Sequence, residues 1–320
     1  MSTISASLLS HSISSTSSTT PTDATFRSLC LYISKLVSKG GPTLSDYDDL
    51  KSALDTLAQA RKSQSVTQDQ LQQILDAFGE SLSLETIQGM GYLKPHGYAG
   101  DFEIIDKIYR NHLSPIPALQ NWDRFVHHQP AFKAVKNRLS YFLEQMWDLK
   151  LAYPQGASVL NLASGPGRDM LESFRVIGKS KIHIDCIEQD ATAIHYAQAL
   201  CYEHLEHISF IHRNVCRFAP KKQYNLIWSG GLFDYFNDKL FKRMITRFLG
   251  ALTKNGKLVI GNFSENNPTQ SYMDFFEWVL FHRSRETLAQ LAQECGVSPQ
   301  NFWIEQEPEG VNLFLHIVNA

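Results

Sequence analysis

No stretch of the chain approaches the roughly 18 to 20 uninterrupted apolar residues that a membrane helix needs. The best candidate, Phe275 to Phe281, is short and contains Glu277, so no integral membrane segment is expected. Excess basic charge is also lacking: 30 Lys and Arg stand against 32 Asp and Glu, a formal net charge of -2. No broad cationic surface is available to neutralise a run of phosphates, and a nucleic-acid partner is not expected. Cysteine is sparse, with Cys30, Cys186, Cys201, Cys216 and Cys295 scattered and no C-x-x-C pair, which argues against a disulfide framework and a thiolate zinc site. His204, His207 and His212 with Cys201 cross a predicted helix end and a strand and match no ligand spacing, so no metal is expected. No Lys or Arg precedes Arg27, and residues 1 to 20 hold no continuous apolar segment. Both parts of a secretory signal are missing, and a reducing cytoplasm is the expected compartment.

What is present is globular in kind: 320 residues, 43% hydrophobic and 19% charged, enough for one large or two smaller domains. Thirteen of the first twenty residues are Ser or Thr, and 1–22 reads as a disordered polar tail. From 23 to 154 the period is helical, predicting a helical lid or substrate-binding domain. Phe26, Leu29, Cys30, Ile33 and Leu36 form a stripe that stops at Gly40-Gly41, and Ser45 opens a second segment through Leu50, Leu54 and Leu57. Thr67 with Gln70 reads as a capping box, Asp101 as an N-cap, and Pro130 as the first turn of a long helix reaching Trp147.

After Pro154-Gln-Gly156 apolar runs alternate with amphipathic segments, the pattern of βαβ units, so 155–320 is predicted to be an α/β domain. Strands are expected at 158–163, 182–188, 208–212, 224–229, 257–262, 302–306 and 312–318, with helices from about Arg168, Asp190, Asn237, Pro268 and Ser284. Glu307-Pro-Glu-Gly310 is too short for a helical crossover, so the last two strands should pair antiparallel.

The segment from Val159 to Asp169 runs from a buried strand into Ser164-Gly-Pro-Gly167 and then a helix. Glycine lets a ligand approach the backbone closely, and Glu188, at the end of the next strand, can accept hydrogen bonds from ribose hydroxyls. A dinucleotide site wants a third glycine where Met170 stands, and Asp169 would put a carboxylate beside a pyrophosphate. S-adenosylmethionine carries no phosphate, and Asp169 could help hold the ammonium of its methionine end.

On these residues the chain resembles class I S-adenosylmethionine-dependent methyltransferases, over about half its length. The resemblance implies a Rossmann-like, mostly parallel sheet with an antiparallel terminal strand, preceded by the helical N-terminal lid. It also implies that Ser164, Gly165 and Gly167 line the methionine moiety, Glu188 binds the ribose, and Gln189 flanks the adenine with Asn214 and Val215. Tyr98, Asp101, Ala163, Asp169 and Ser229 complete the implied cofactor set. Lys94-Pro-His-Gly-Tyr-Ala-Gly-Asp101, Gly231-Leu-Phe-Asp-Tyr235 and Tyr272 through Trp278 to Arg283 look like a narrower bacterial group, 3-hydroxypalmitate methyl ester synthase-like proteins, whose namesake methylates a fatty acid carboxylate.

Methyl transfer demands alignment and exclusion of water more than catalytic side chains. A carboxylate acceptor needs orienting partners, for which His282, Arg283 and Lys94 are the candidates. An amine, such as that of an amino-acid-like compound, or a hydroxyl needs a base, which Asp234, Tyr98, Tyr235 or His96 could supply. Phe233 and Trp278, with Tyr98 and Tyr235, offer faces for a cationic centre. Trp278 could equally be core, Asp234 a cap for the helix beginning near Asn237, and His96 part of a turn. The expected partner is a small-molecule or lipid-like acceptor; homo-oligomerisation is left open. The rivals are a nicotinamide-dependent oxidoreductase and a non-catalytic cofactor-binding sensor.

Overall fold

The computed structural model describes residues 23–178 and 180–320; the tail expected at 1–22 lies outside them. The first part is helical: α1 (Asp23–Ser38), α2 (Tyr47–Lys62), α3 (Gln68–Phe78), α4 (Ile87–Leu93), α5 (Phe102–Tyr109), α6 (Gln120–His128) and α7 (Pro130–Ala152). Local chemistry sets the starts. Thr67 and Gln70 exchange bonds of 3.2 and 2.9 Å ahead of α3, and Asp101 Oδ1 accepts from the amides of Glu103 and Ile104 at 2.9 and 3.0 Å ahead of α5. Pro130 opens α7, where its missing N–H costs no helical bond.

The remainder alternates: β1 (Ala157–Leu162), α8 (Arg168–Ile177), β2 (Ile182–Glu188), α9 (Ala191–Leu200), β3 (Ile208–His212), β4 (Tyr224–Ser229), α10 (Asp238–Leu249), β5 (Leu252–Phe263), α11 (Gln270–Phe275), α12 (Arg285–Glu294), β6 (Phe302–Gln306) and β7 (Asn312–Val318). Seven strands form one sheet in the order β3-β2-β1-β4-β5-β7-β6. The first five pair in parallel, whereas β7 is antiparallel to both β5 and β6. This is the expected Rossmann-like sheet. Glu307 shapes its final turn by accepting from the amides of Glu309, Val311 and Asn312 at 2.8, 2.8 and 3.0 Å. Two strands, β1 and β5, differ from expectation at both ends. β1 ends at Leu162 because Ala163 turns to φ 55, and β5 begins at Leu252, which pairs with Tyr224 across a register shift.

Strand order reverses at β1, between β2 and β4, and a ligand crevice belongs at the carboxyl ends of the strands there. The long α7 roofs that crevice. Ala131, Phe132, Ala134 and Val135 from its first half join the core of the helical layer. Tyr141, Phe142, Met146 and Leu149 from its second half pack on the sheet. The helical core also takes in Phe263, Tyr272, Met273, Phe275, Phe276 and Trp278, so the chain after β5 returns to close the layer that α1 to α6 begin. All five cysteines are free, and among the described residues no helix is long and apolar enough to cross a membrane.

Candidate active site

A cavity of about 370 Å³ lies where the crevice was expected. Its floor is the turn after β1. Ala163 and Gly165 both adopt left-handed backbone, with φ 55 and 54, an uncommon state for alanine that the loop holds in place. Glu188, 6% exposed, ties this turn to the end of β2. Its Oε2 accepts from Gly165 N at 2.9 Å, and its Oε1 from Gln189 N and Asp190 N at 2.7 and 3.0 Å. Next to it Asn214 Nδ2 donates to Gln189 Oε1 at 2.6 Å, while Asn214 Oδ1 accepts from Cys216 N at 2.8 Å. Gln189, Asn214 and Val215 therefore line one end of the cavity together. Ser164 lines it with a buried Oγ whose one neighbour for a hydrogen bond is the Cys186 thiol, a weak partner. Asp169, in the first turn of α8, accepts from Asn161 Nδ2 at 3.3 Å and from Met170 N at 2.9 Å; burial raises its pKa to about 6.

The other end lies under the loop before α5. Tyr98 donates from its hydroxyl to Asp190 Oδ2 at 3.1 Å, bridging that loop to the edge of β2. Burial, with Glu188 and Asp190 close by, pushes the Tyr98 phenol far up, so it stays protonated. Tyr235 donates to Ala99 O at 2.8 Å and accepts from Trp278 Nε1 at 3.0 Å. Trp278, open at sequence level between core and pocket, lines the cavity. Asp234 is 2% exposed and accepts from Phe263 N at 2.6 Å. Burial raises its pKa to about 7 against the opposing pull of Arg138 and Arg283. It is not a helix cap, because Asn237 Oδ1 takes that place for α10 through Leu240 N at 3.0 Å.

Several expected contacts are corrected, because these side chains do not line the cavity. Gly167 caps α8 with φ 76 and faces away; a Cβ there would sit 2.9 Å from Ala197 Cβ, so its role is close packing of α8 on α9. Lys94 ends α4 and pairs with Glu277 at 3.3 Å. His96 lies 3.3 Å from Glu103 and packs at a tilt against Phe102, ring centroids 4.4 Å apart. Asp101 is buried as the cap of α5, and Ser229 is buried at the end of β4. Phe233 packs on Phe236 and Phe241 at 5.2 and 4.9 Å. His282 sits between Asn267 Nδ2 and Leu280 O, 3.2 Å from each, its pKa lowered by burial. Arg283, 3% exposed, is held by Asp238 at 2.9 Å, by Asn262 Oδ1 at 2.6 Å and by Phe236 O, with its guanidinium 4.5 Å from the Phe241 ring.

Sequence reasoning missed Arg138, Tyr109 and Asn161, all of which line the cavity. Arg138 donates through Nε to Tyr109 OH at 3.2 Å and through Nη1 to Gly230 O at 3.4 Å. The one available signal was a cation at helical spacing between the apolar Val135 and Phe142 of α7.

The helical layer is anchored from one buried carboxylate. Asp106 on α5, 0% exposed, accepts from Arg168 Nε, Tyr196 OH and Arg110 Nε, each at 2.7 Å, which fastens the helical layer to α8 and α9. Asp106→Ala leaves the Arg168 guanidinium only the longer contact to Glu172 at 3.7 Å and is expected to lower stability by about 3 kcal/mol; urea unfolding measures it, and a loss below about 1 kcal/mol would contradict the anchoring role. At the end of the cavity lined by Tyr235 and Trp278, Gly100 has φ 67, and a Cβ there would lie 2.7 Å from both Tyr235 OH and Trp278 Cζ2. Gly100→Ala is therefore expected to hold the loop open and reduce turnover about tenfold or more. Unchanged steady-state kinetics would show that the loop closes without that contact.

No protein-family model matches the chain, and a search of curated proteins returns no match. Solved structures do resemble it. A possible exported protein from Bordetella parapertussis aligns at 16% identity over 87% of this chain and 99% of that one, with a TM-score of 0.62, a likeness of fold. Less similar are magnesium protoporphyrin IX methyltransferase from Synechocystis PCC 6803 with bound S-adenosylmethionine (10% identity, 59% and 83% of the two chains, TM-score 0.44) and an O-methyltransferase family protein from Burkholderia thailandensis (17%, 63% and 64%, TM-score 0.46).

Proposed function

We propose that this protein transfers a methyl group from S-adenosylmethionine to a small-molecule acceptor. The carrying observation is the charge of the cavity wall: three carboxyl groups, Asp169, Glu188 and Asp234, face a single guanidinium, Arg138. A nicotinamide dinucleotide would bring its pyrophosphate to the start of α8, where Asp169 repels it and buried Met170 takes the third glycine position. A sulfonium with an ammonium suits the same wall. The donor set fits the whole cofactor: Glu188 toward the ribose, Gln189, Asn214 and Val215 toward the adenine, and the Ser164 hydroxyl beside Ala163 and Gly165 toward the methionine portion. Bound there, the cofactor supplies a methyl carbon activated on sulfur.

The chain's own residues orient the acceptor and exclude water. Tyr98, Ala99 and Gly100 roof the cavity, while Tyr235 and Trp278 present aromatic faces to its reaction end. The cations a carboxylate acceptor was expected to use, Lys94, His282 and Arg283, are engaged elsewhere. In their place stands buried Asp234. This favours a hydroxyl or amine acceptor, including the amine of an amino-acid-like compound, whose proton passes to the Asp234 carboxylate. Carboxyl O-methylation is the second reading, supported by the unpaired Arg138 and by the resemblance to the 3-hydroxypalmitate methyl ester synthase-like group. Five free thiols suit a reducing cytoplasm.

Turnover tests the proposal. Release of S-adenosylhomocysteine is expected with an amine or alcohol from a broad acceptor panel. Release with carboxylic acids alone would select the second reading. Cofactor binding without turnover across the panel would make the protein a sensor.

A further inference from the structure

The loop from Lys94 to Asp101, which links α4 to α5 and roofs the cavity with Tyr98, Ala99 and Gly100, is fastened at its two ends by different means. Its far end is buried: Asp101, 1% exposed, is fixed by the amides of Glu103 and Ile104. Its near end is held by charge. Lys94 Nζ meets Glu277 Oε2 at 3.3 Å and, among the described residues, makes no other ion pair. The other oxygen of Glu277 accepts from Arg61 Nη2, while Arg61 Nη1 donates to Phe275 O at 2.8 Å. Arg61 stands in the last turn of α2, so one carboxylate ties together the helical layer, the roof loop and the segment that leads into Trp278. Arg61 first, then Lys94, hold the Glu277 carboxyl below its ordinary range. Lys94 and Glu277 also share left-handed backbone, with φ 50 and 61, a state uncommon outside glycine that persists where the surroundings impose it. Inside, the same two segments meet again: Trp278 Nε1 donates to Tyr235 OH at 3.0 Å, and Tyr235 OH to Ala99 O at 2.8 Å.

We infer that Glu277, with Lys94 and Arg61, clasps the roof of the cavity, and that release of this clasp sets the rate of ligand exchange. None of the three lines the cavity, so they are positioning residues that act through the roof. Residues that touch no ligand favour neither its bound nor its free state, and the clasp therefore slows entry and exit alike while leaving affinity unchanged. The Glu277 side chain is 45% exposed, which opens the clasp to salt. The inference rests on the methyltransferase reading for the identity of the ligand and goes beyond it in giving the site a gate.

Stopped-flow tryptophan fluorescence follows S-adenosylhomocysteine entering and leaving the full-length protein, since Trp228 and Trp278 line the cavity. Glu277→Gln is expected to raise the association and dissociation rates together, about three- to tenfold, the scale of partly exposed ion pairs. Its Kd should stay within about twofold of wild type, which also certifies the fold of the variant. Raising NaCl to about 1 M, where the screening length is roughly 3 Å, should speed wild type toward the variant and leave the variant's rates unchanged. Adding Lys94→Met to Glu277→Gln should speed exchange no further, because the interaction is already gone. Unchanged rates in Glu277→Gln, or a salt response that survives in it, overturn the clasp. Faster dissociation alone, with affinity lost in proportion, also overturns it and makes Glu277 a support of the cavity wall. If wild type does not bind S-adenosylhomocysteine, the methyltransferase reading itself falls and takes the clasp with it.

Discussion

Glu188→Ala is expected to weaken S-adenosylhomocysteine binding by about 1.5 to 3 kcal/mol, roughly 10- to 160-fold. The structure gives this carboxylate two tasks. It faces the cavity, where a ribose would meet it, and it holds three backbone amides, those of Gly165, Gln189 and Asp190. Of the roughly four acceptor sites of a carboxylate, three are engaged, and the open one lies on Oε2. Glu188→Gln is therefore not a conservative change. If its oxygen keeps the Gln189 and Asp190 amides, its NH2 faces the Gly165 N–H donor to donor. The glutamine variant should lose affinity nearly as far as the alanine variant. Near-wild-type calorimetry for Glu188→Gln, with the fold intact by circular dichroism, would mean that the carboxylate neither binds the nucleoside nor organises the turn.

Asp234→Asn is expected to reduce turnover about 10²- to 10⁴-fold, the range lost when a positioned proton acceptor is removed. Its effect on S-adenosylhomocysteine affinity should be small. In the wild type the rate should rise with pH around 7, as buried Asp234 gives up its proton and becomes competent; the asparagine variant should lack that rise. The same burial gives a stability signature whose sign is fixed by linkage. The native pKa, about 7, lies above the ordinary carboxylate value of 3.8, so between these the native state binds more protons than the unfolded chain. Stability contributed by this group is therefore complete below about pH 4 and declines as pH rises toward 7. Asp234→Asn should be more stable than wild type at pH 8, with the advantage vanishing near pH 4. A variant with full activity and an unchanged pH profile would leave Asp234 structural and favour the carboxylate acceptor, which needs no base.

Much of the fold was legible because its signals are local. Short apolar runs between amphipathic segments located the strands, and Thr67, Asp101, Asp190, Asn237 and Ser284 announced helix starts through side-chain bonds to backbone amides. The Gly165 turn and Glu188 were legible for a similar reason, since a turn and a strand end fix where those groups must lie. The segment from Lys94 to Asp101 misled because local sequence does not set side-chain direction. Lys94 and His96 flank Tyr98 in the chain, yet they meet Glu277 and Glu103 while Tyr98 faces the cavity. Arg283 seemed suited to orient a carboxylate acceptor because it is a cation, but Asp238 and Asn262, distant in sequence, claim its donors. Arg138 stayed hidden for the converse reason. It acquires meaning only where α7 passes from the helical layer onto the sheet, beside glycines 92 and 93 positions away in the chain.

Calorimetric titration of the purified protein with S-adenosylmethionine and S-adenosylhomocysteine, with NAD as the comparison, tests the central claim most directly. The account predicts micromolar binding of both sulfur nucleosides and none of NAD. Binding of NAD instead, or of none of the three, would contradict it and reduce the Gly165 loop and Glu188 to a turn and its brace.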